Sequence, residues 1–372
     1  MRNTRLFRDE AGFTLAELMV STLITLAIMG ATVTTLSQTY RQNESAKAIL
    51  SINNYLRIGA DIMEQDFLQV GQGLPTGRII QVPNGGAALP IQQPHPQGST
   101  CTQWPVGTVA IPAVTPGPGC GPTINGVATD TVTTMATDSM LYNVPIASFN
   151  LVARSATVAT AAQANNGLNI ATGQSTDVAV GDLMMFTKGS MSALVYVTGV
   201  TGNQTFSFAG GDPMNLNQTA ANFNGTVDDL ANTVPTTAYS AEVSRVFMIS
   251  YYLDNTLDPA NPRLIRQTNW GNPAVAVNQR GMTVAFDVEN LQLSYDIVNS
   301  LTNPAFVRMV ANDLTVNGAC APQACSPNQI RKVNISLAGR SELVSSVTKK
   351  YFRNSLDSQV SLRSMALVNL YQ

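Results

Sequence analysis

The chain has 372 residues, a formal net charge of −2 and only 12% charged side chains, where globular proteins average about a quarter. That balance excludes a nucleic-acid surface built on bulk electrostatics, and the length allows one elaborated domain or two small ones beyond any anchor. Thr, Ser, Asn, Gln, Gly and Ala dominate instead, which suits an extracytoplasmic β-rich body.

The first element is a short leader, residues 1–12, with Arg2, Arg5 and Arg8 and no long apolar core. The stretch 13–36 follows with a single charge, Glu17. At 1.5 Å per residue it spans roughly 36 Å, enough to cross a hydrocarbon core of about 30 Å. Basic residues precede it, so the N-terminus is expected to stay cytoplasmic and the body to cross over. Glu17 is a carboxylate inside a membrane segment, which marks it as a functional group. It lies four residues after Phe13 and shares a helix face with it. A cut after Gly12 gives Phe13 a new α-amino group, and that amine on a neighbouring subunit would neutralise Glu17 in a helical bundle. A snorkelling glutamate near the membrane edge is the alternative. An ordinary secretory signal fits poorly, because Glu17 interrupts the apolar core and Gly30-Ala31 supplies only a weak later cut. No Cys follows the leader, so no lipoprotein anchor is expected.

The run Gly12-Phe13-Thr14-Leu15-Ala16-Glu17-Leu18-Met19-Val20 closely resembles the class III signal of type IV pilins and of type II secretion pseudopilins. The resemblance implies that a prepilin peptidase cuts between Gly12 and Phe13 and methylates the new end, leaving N-methylphenylalanine at Phe13. It also implies that Glu17 guides subunit docking.

The helix is expected to continue through 37–71 as an amphipathic half. This stretch has no proline until Pro75, and its one glycine before Gly71 is Gly59. Ile49, Ile52, Leu56, Met63, Phe67 and Val70 recur at helical spacing; Gly59 fits it, and Tyr55, Ile62 and Leu68 widen the stripe. Gly71, Gly73 and Pro75 end a helix of about 58 residues.

Residues 72–175 read as an irregular insertion of loops and short strands, with Pro and Gly clustered between Pro75 and Pro122. Val127 to Met135 and Phe149 to Thr160 are short strands or ordered loops whose pairing the sequence leaves open. Four cysteines fall in two local pairs, and three connectivities exist in principle. Proximity favours Cys101–Cys120 and Cys320–Cys325. A metal site lacks support, since there is no C-x2-C spacing and the one histidine, His95, sits between Pro94 and Pro96.

Residues 176–240 read as a small β module with strands at 182–186, 193–200 and 205–208, joined by turns at Lys188-Gly189-Ser190 and Gly202-Asn203. Residues 241–372 carry period-two spacing expected of an antiparallel sheet with one buried face. The alternating sets are Phe247, Ile249, Tyr251 and Leu253; Leu291, Leu293, Tyr295 and Ile297; and Val333, Ile335 and Leu337. Val360 and Leu362 are expected to begin a last strand. The fold class is therefore α+β: a long N-terminal helix, transmembrane and then amphipathic, packed on an antiparallel sheet, with an extra β-rich insertion.

The order of these pieces extends the resemblance to PilW-type minor pilins and, more loosely, to J-type pseudopilins. The pieces are the 181–200 module, the run 246–254, Pro262-Arg263-Leu264-Ile265-Arg266, the run 288–295, Arg331 to Leu337, and the final Leu362-Arg363-Ser364, where that family usually shows Arg-Asn. Residues 72–175 match nothing in it.

No active site emerges. His95 is held in a Pro-flanked loop, Asp228-Asp229 read as solvated turn residues, and Asp254, Asn255 and Asp258 form an Asx-rich loop without full calcium-ligand spacing. Neither G-x-G-x-x-G nor a Walker loop is present, so neither enzyme activity nor a cofactor is expected. The resemblance implies a minor type IV pilin at a pilus tip or in a priming complex. It would reside in the inner membrane as a single-pass protein with its body in the periplasm, then in the surface pilus. Its partners would be the prepilin peptidase, the major pilin, other minor pilins and the inner-membrane assembly platform, with no nucleic acid. A type II secretion pseudopilin, a membrane-anchored periplasmic binding protein or enzyme, and an adhesin are the alternatives.

Overall fold

The computed structural model describes residues 12, 14–75, 77–83, 89–161, 178–202, 204–219, 224–232, 241–298, 307–311, 314, 325–345 and 348–367. The chain forms two compact units, Met1–Ser51 with Ser341–Phe352, and Ile52–Arg340 with Arg353–Gln372.

Helix α1 spans Leu15–Gln69, close to the length expected from spacing alone. In the larger unit it buries Ile52, Leu56, Gly59, Ala60, Met63 and Phe67, positions that recur every three or four residues and so form one face. The buried stripe is narrower than expected: Leu68 is exposed, as is Ile49 in the smaller unit. The helix stops where Gly71 and Gly73 take left-handed φ values of 77° and 69°. At Gly73 the glycine is obligatory, because a Cβ would lie 1.9 Å from Thr137 Oγ1.

The body is antiparallel throughout. Strands β1 (Ile79–Gln81) and β2 (Ala110–Pro112) form one small pair; β4 (Thr123–Ile124) and β5 (Val127–Ala128) form another. The largest sheet joins β3 (Val114–Gly117), β6 (Thr131–Thr137), β7 (Val144–Asn150), β8 (Ser155–Val158), β9 (Leu183–Lys188), β10 (Met191–Tyr196), β11 (Gly199–Thr201), β12 (Thr205–Ser207), β13 (Glu242–Asp254), β14 (Arg263–Thr268) and β15 (Met282–Phe286). Between β12 and β13 lies the short helix α2 (Val227–Asn232). A four-stranded sheet follows in the order β17-β16-β18-β19, from β16 (Val288–Val298), β17 (Val307–Ala311), β18 (Ile330–Arg340) and β19 (Arg353–Ser361).

The thirteen-residue strand β13 organises the large sheet. Its first part, 242–246, pairs with β9 and briefly with β7; 246–251 pair with β6, and 249–254 with β14. Protein covers both of its faces from Met248 to Asp254, so the expected one-sided alternation does not hold. Phe247 is only half-buried and instead carries the Arg245 guanidinium over its ring at 5.6 Å. The alternation is clean in β16 and β18, where Leu291, Leu293, Tyr295, Ile297, Val333, Ile335 and Leu337 are all buried. The last strand also differs from expectation. β19 ends at Ser361, and Arg363–Leu367 is a 3-10 turn, so Val360 and Leu362 close the strand region rather than begin it.

The described residues of 72–161 are built into the body. β6 lies along the middle of β13, and the buried Thr133 hydroxyl hydrogen-bonds the Ser250 hydroxyl at 2.7 Å. β7 and β8 share an apolar core with β9, β10 and β12, in which the rings of Phe149, Phe186, Phe206 and Phe208 meet at 5.4–6.4 Å. The expected strand 193–200 is split: β10 ends at Tyr196 and β11 starts at Gly199. In between, Val197 and the turn before β9 bond each other, Val197 N to Asp182 O at 2.9 Å and Gly181 N to Val197 O at 2.9 Å.

Candidate functional site

At the start of α1, Thr14 and Glu17 cap the helix reciprocally. Thr14 Oγ1 accepts from Glu17 N at 3.3 Å, while Glu17 Oε2 accepts from Thr14 N at 3.0 Å and from Thr14 Oγ1 at 2.9 Å. This is a capping box, which satisfies helix-end donors that have no intrahelical partner. The carboxylate is thus oriented toward the helix N-terminus and bonded within its own chain. Gly12 is exposed, and a Cβ there meets nothing within 4 Å; packing does not require glycine at this place. Phe13 lies outside the described residues.

Every residue from Leu15 to Leu36 is exposed, although the segment is apolar enough and α1 long enough to cross a membrane. Its hydroxyls turn back on the helix. Ser21 donates to Leu18 O at 3.0 Å, Thr25 to Ser21 O at 2.7 Å, Thr34 to Gly30 O at 2.6 Å and Thr35 to Ala31 O at 2.8 Å, and Thr32 bonds Ile28 O. With those donors satisfied inside the helix, the outer surface is compatible with lipid or with apolar neighbouring helices.

Beyond Ile52 the same helix is fixed to the sheets. Gly59 allows close approach: its Cβ position is 3.0 Å from Leu264 Cδ2, 3.4 Å from Ala285 Cβ and 3.6 Å from Leu337 Cδ1, atoms of β14, β15 and β18. One turn past Met63, Asp66 takes a forked bond from Arg266, Nε to Oδ2 at 2.6 Å and Nη2 to Oδ1 at 3.0 Å, and also accepts the Tyr251 hydroxyl. The Asp66 and Arg266 side chains are 12% and 24% exposed. Burial, and then the Asp66 carboxylate, push the Tyr251 phenol well above its ordinary value. Ser358 and Asn354 of β19 bond Glu64 and Asn53 of α1.

The other residues considered for chemistry are engaged in structure. His95 Nδ1 is 2.8 Å from Gln93 O, and its ring meets Trp270 edge-on at 6.0 Å. Asp228 and Asp229 are not solvated turn residues: they form the first turn of α2, capped by Thr226 Oγ1, and Asp228 grips Arg154 at 2.8 and 3.0 Å. The reason is apolar, since Val227 and Leu230 of that helix join the phenylalanine core and Arg154 lies over Phe208. Asp254 is buried, pairs with Arg263 and accepts from Thr256 N at 3.1 Å; Asp258 accepts from Ala260 N at 3.0 Å. Both close their own loop. Cys101 and Cys120 are joined, with Cα atoms 5.6 Å apart. Cys320, and with it the second expected pairing to Cys325, lies outside the described residues.

Three arrangements at or near the site were not anticipated from the sequence. The Thr14–Glu17 cap had a signal that could have found it, since Thr-x-x-Glu before an apolar run is a capping signature. The Asp66–Arg266 and Arg154–Asp228 pairs had no local signal, because their members are 200 and 74 residues apart. Comparison of the chain with family models, with curated proteins and with solved structures finds no match.

Proposed function

We propose that this protein is a minor type IV pilin that helps to prime or cap a pilus. In this reading a prepilin peptidase cuts after Gly12, and the new amino group of Phe13 faces the carboxylate of Glu17 on a neighbouring subunit. The observation that supports it most is the two-part character of one continuous helix. Its first turn presents an oriented glutamate, its apolar half is exposed, and one face of the helix beyond Ile52 is buried against a β-rich body. Such a helix has an anchor and a docking surface at one end and a folded load at the other.

The capping box gives Glu17 a role before docking. Bonded to Thr14 through Oε2, the carboxylate enters the membrane with one oxygen satisfied and its geometry set, which lowers the ordering cost of meeting an amine. The pilus-specific partners, the inner-membrane location and the tip position belong to the same proposal. Glu17→Val tests it: the variant should be processed and inserted normally yet be missing from sheared filaments. Incorporation at the wild-type level would remove the docking role.

A further inference from the structure

The smaller unit contains, besides the first part of α1, the twelve-residue connection between β18 and β19, Ser341–Phe352. It is knitted to itself. Ser341 N donates to Phe352 O at 2.8 Å, Phe352 N to Ser341 Oγ at 3.0 Å, Lys349 N to Ser345 O at 3.0 Å and Ser345 N to Lys350 O at 3.0 Å. Against Glu44, Lys47 and Ala48 of α1 it borders an open groove of about 270 Å³, lined on the loop side by Leu343, Val344 and Phe352. The helix side reflects this cover: Ser45 and Ala48 are half-buried between exposed neighbours, and Ser51 is half-buried.

The outer surface of this loop has a composition that suits a lipid headgroup layer. Leu343 is 68% and Val344 40% exposed, and Lys349 and Lys350 are exposed beside them. Lys349 holds a left-handed φ of 54°, a conformation that favours Gly or Asn, so a long cation stands where a smaller residue fits the backbone better. Beyond Leu36 the unit carries Arg41, Lys47, Lys349 and Lys350 against Glu44 and Glu342, an excess of positive charge.

Position along the helix supplies the second argument. Glu44 lies eight residues past Leu36, roughly 12 Å along the axis. The headgroup zone extends about 5–8 Å beyond the hydrocarbon edge. The loop wall therefore starts a few ångströms outside the headgroups, within one Debye length of about 8–10 Å. Lysines at that range are drawn to an anionic lipid surface.

We propose that the described residues of this loop, 341–345 and 348–352, are a membrane-surface contact, with Lys349 and Lys350 drawn to the phosphates of anionic phospholipids and Leu343 at the outer edge of the headgroup layer. This rests on the reading of α1 as membrane-spanning. It gives the unassembled protein a second hold on the bilayer, one that extraction into a fibre must release.

The test uses the full chain in lipid nanodiscs, with a fluorophore on Leu343→Cys and a nitroxide quencher on the lipid headgroups. Quenching should be strong in discs containing phosphatidylglycerol and weak in pure phosphatidylcholine. Lys349→Gln with Lys350→Gln, or high salt, should lower the lipid-bound fraction roughly fivefold per lysine. Equal quenching in both lipids, or none lost in the lysine variant, overturns the proposal. So does protection of the probe that depends on protein concentration, which assigns the loop to a protein neighbour. A second probe at Tyr40→Cys separates the two readings. Quenching there without quenching at Leu343 sinks the loop contact alone, and no quenching at either place sinks the membrane span.

Discussion

Asp66 ties α1 to the large sheet through a charged cluster beside the apolar contacts of Met63 and Phe67. Its carboxylate accepts two bonds from Arg266 and one from Tyr251, in a site where the two charged side chains are 12% and 24% exposed. Asp66→Ala removes all three and leaves the guanidinium largely out of water. A hydrogen bond to a charged group contributes about 1.5–3 kcal/mol, and breaking a buried ion pair from one side costs about 3–5 kcal/mol. The partial exposure of Arg266 discounts the upper figure, so the expected loss is about 2–4 kcal/mol, or roughly 3–6 °C in Tm for a body of this size. The assay is thermal and urea unfolding of the full chain in detergent, followed by far-UV circular dichroism. Adding Arg266→Met should recover part of the loss, because it removes the stranded charge. If Asp66→Ala unfolds within about 0.5 kcal/mol of wild type, the level of an ordinary surface substitution, then this cluster does not hold α1 to the sheet.

Gly59 tests the same packing sterically. Gly59→Ala gains about 0.8–1 kcal/mol of helix propensity against a 3.0 Å contact with the movable end of Leu264, so it should lie within about 1 kcal/mol of wild type. Gly59→Leu should lose about 1–3 kcal/mol by overpacking, and equal stability of that variant in urea would show that the helix is not seated on Leu264, Ala285 and Leu337. Alkaline pH tests the buried tyrosines. Burial holds the phenols of Tyr251, Tyr252 and Tyr295 above their ordinary value. The folded state thus keeps protons that the unfolded state releases near pH 10, and stability falls as pH rises beyond about 10, by up to roughly 1.4 kcal/mol per pH unit for each group. Tyr295 Oη has no hydrogen-bond partner among the described residues, so Tyr295→Phe should flatten the decline of Tm between pH 9 and 11 without lowering Tm at pH 7; an unchanged slope contradicts the burial argument.

Legibility tracked how plainly burial was written into residue type. α1 was readable because an apolar stripe at helical spacing ran without a proline from the apolar N-terminal segment to the glycines that stop it. β16 and β18 were readable because each has one buried face and one polar face. β19 was not, since its residues 353–359 are polar apart from Leu356 and largely exposed, the mark of an edge strand held by pairing rather than by a core. β6 was readable only as a short strand or ordered loop of open pairing, for the opposite reason. Thr131-Val132-Thr133-Thr134-Met135-Ala136-Thr137 is rich in hydroxyls, yet six of its seven residues are buried, with hydroxyls satisfied by Ser250 and by the Ile249 carbonyl. At the candidate site the sequence made Gly12 and Glu17 visible through their neighbours. Thr-x-x-Glu also carries the signal of the Thr14 cap that holds Glu17, although the sequence reading weighed Glu17 only against Phe13.

The central claim is that the working molecule begins at Phe13. Mass spectrometry of the protein from its native membrane tests this most directly. The account expects an N-terminal peptide that starts at Phe13 with one added methyl group and none that bridges Gly12 and Phe13. An intact Met1, or a first residue elsewhere, would contradict it and leave only a tethered β-rich body.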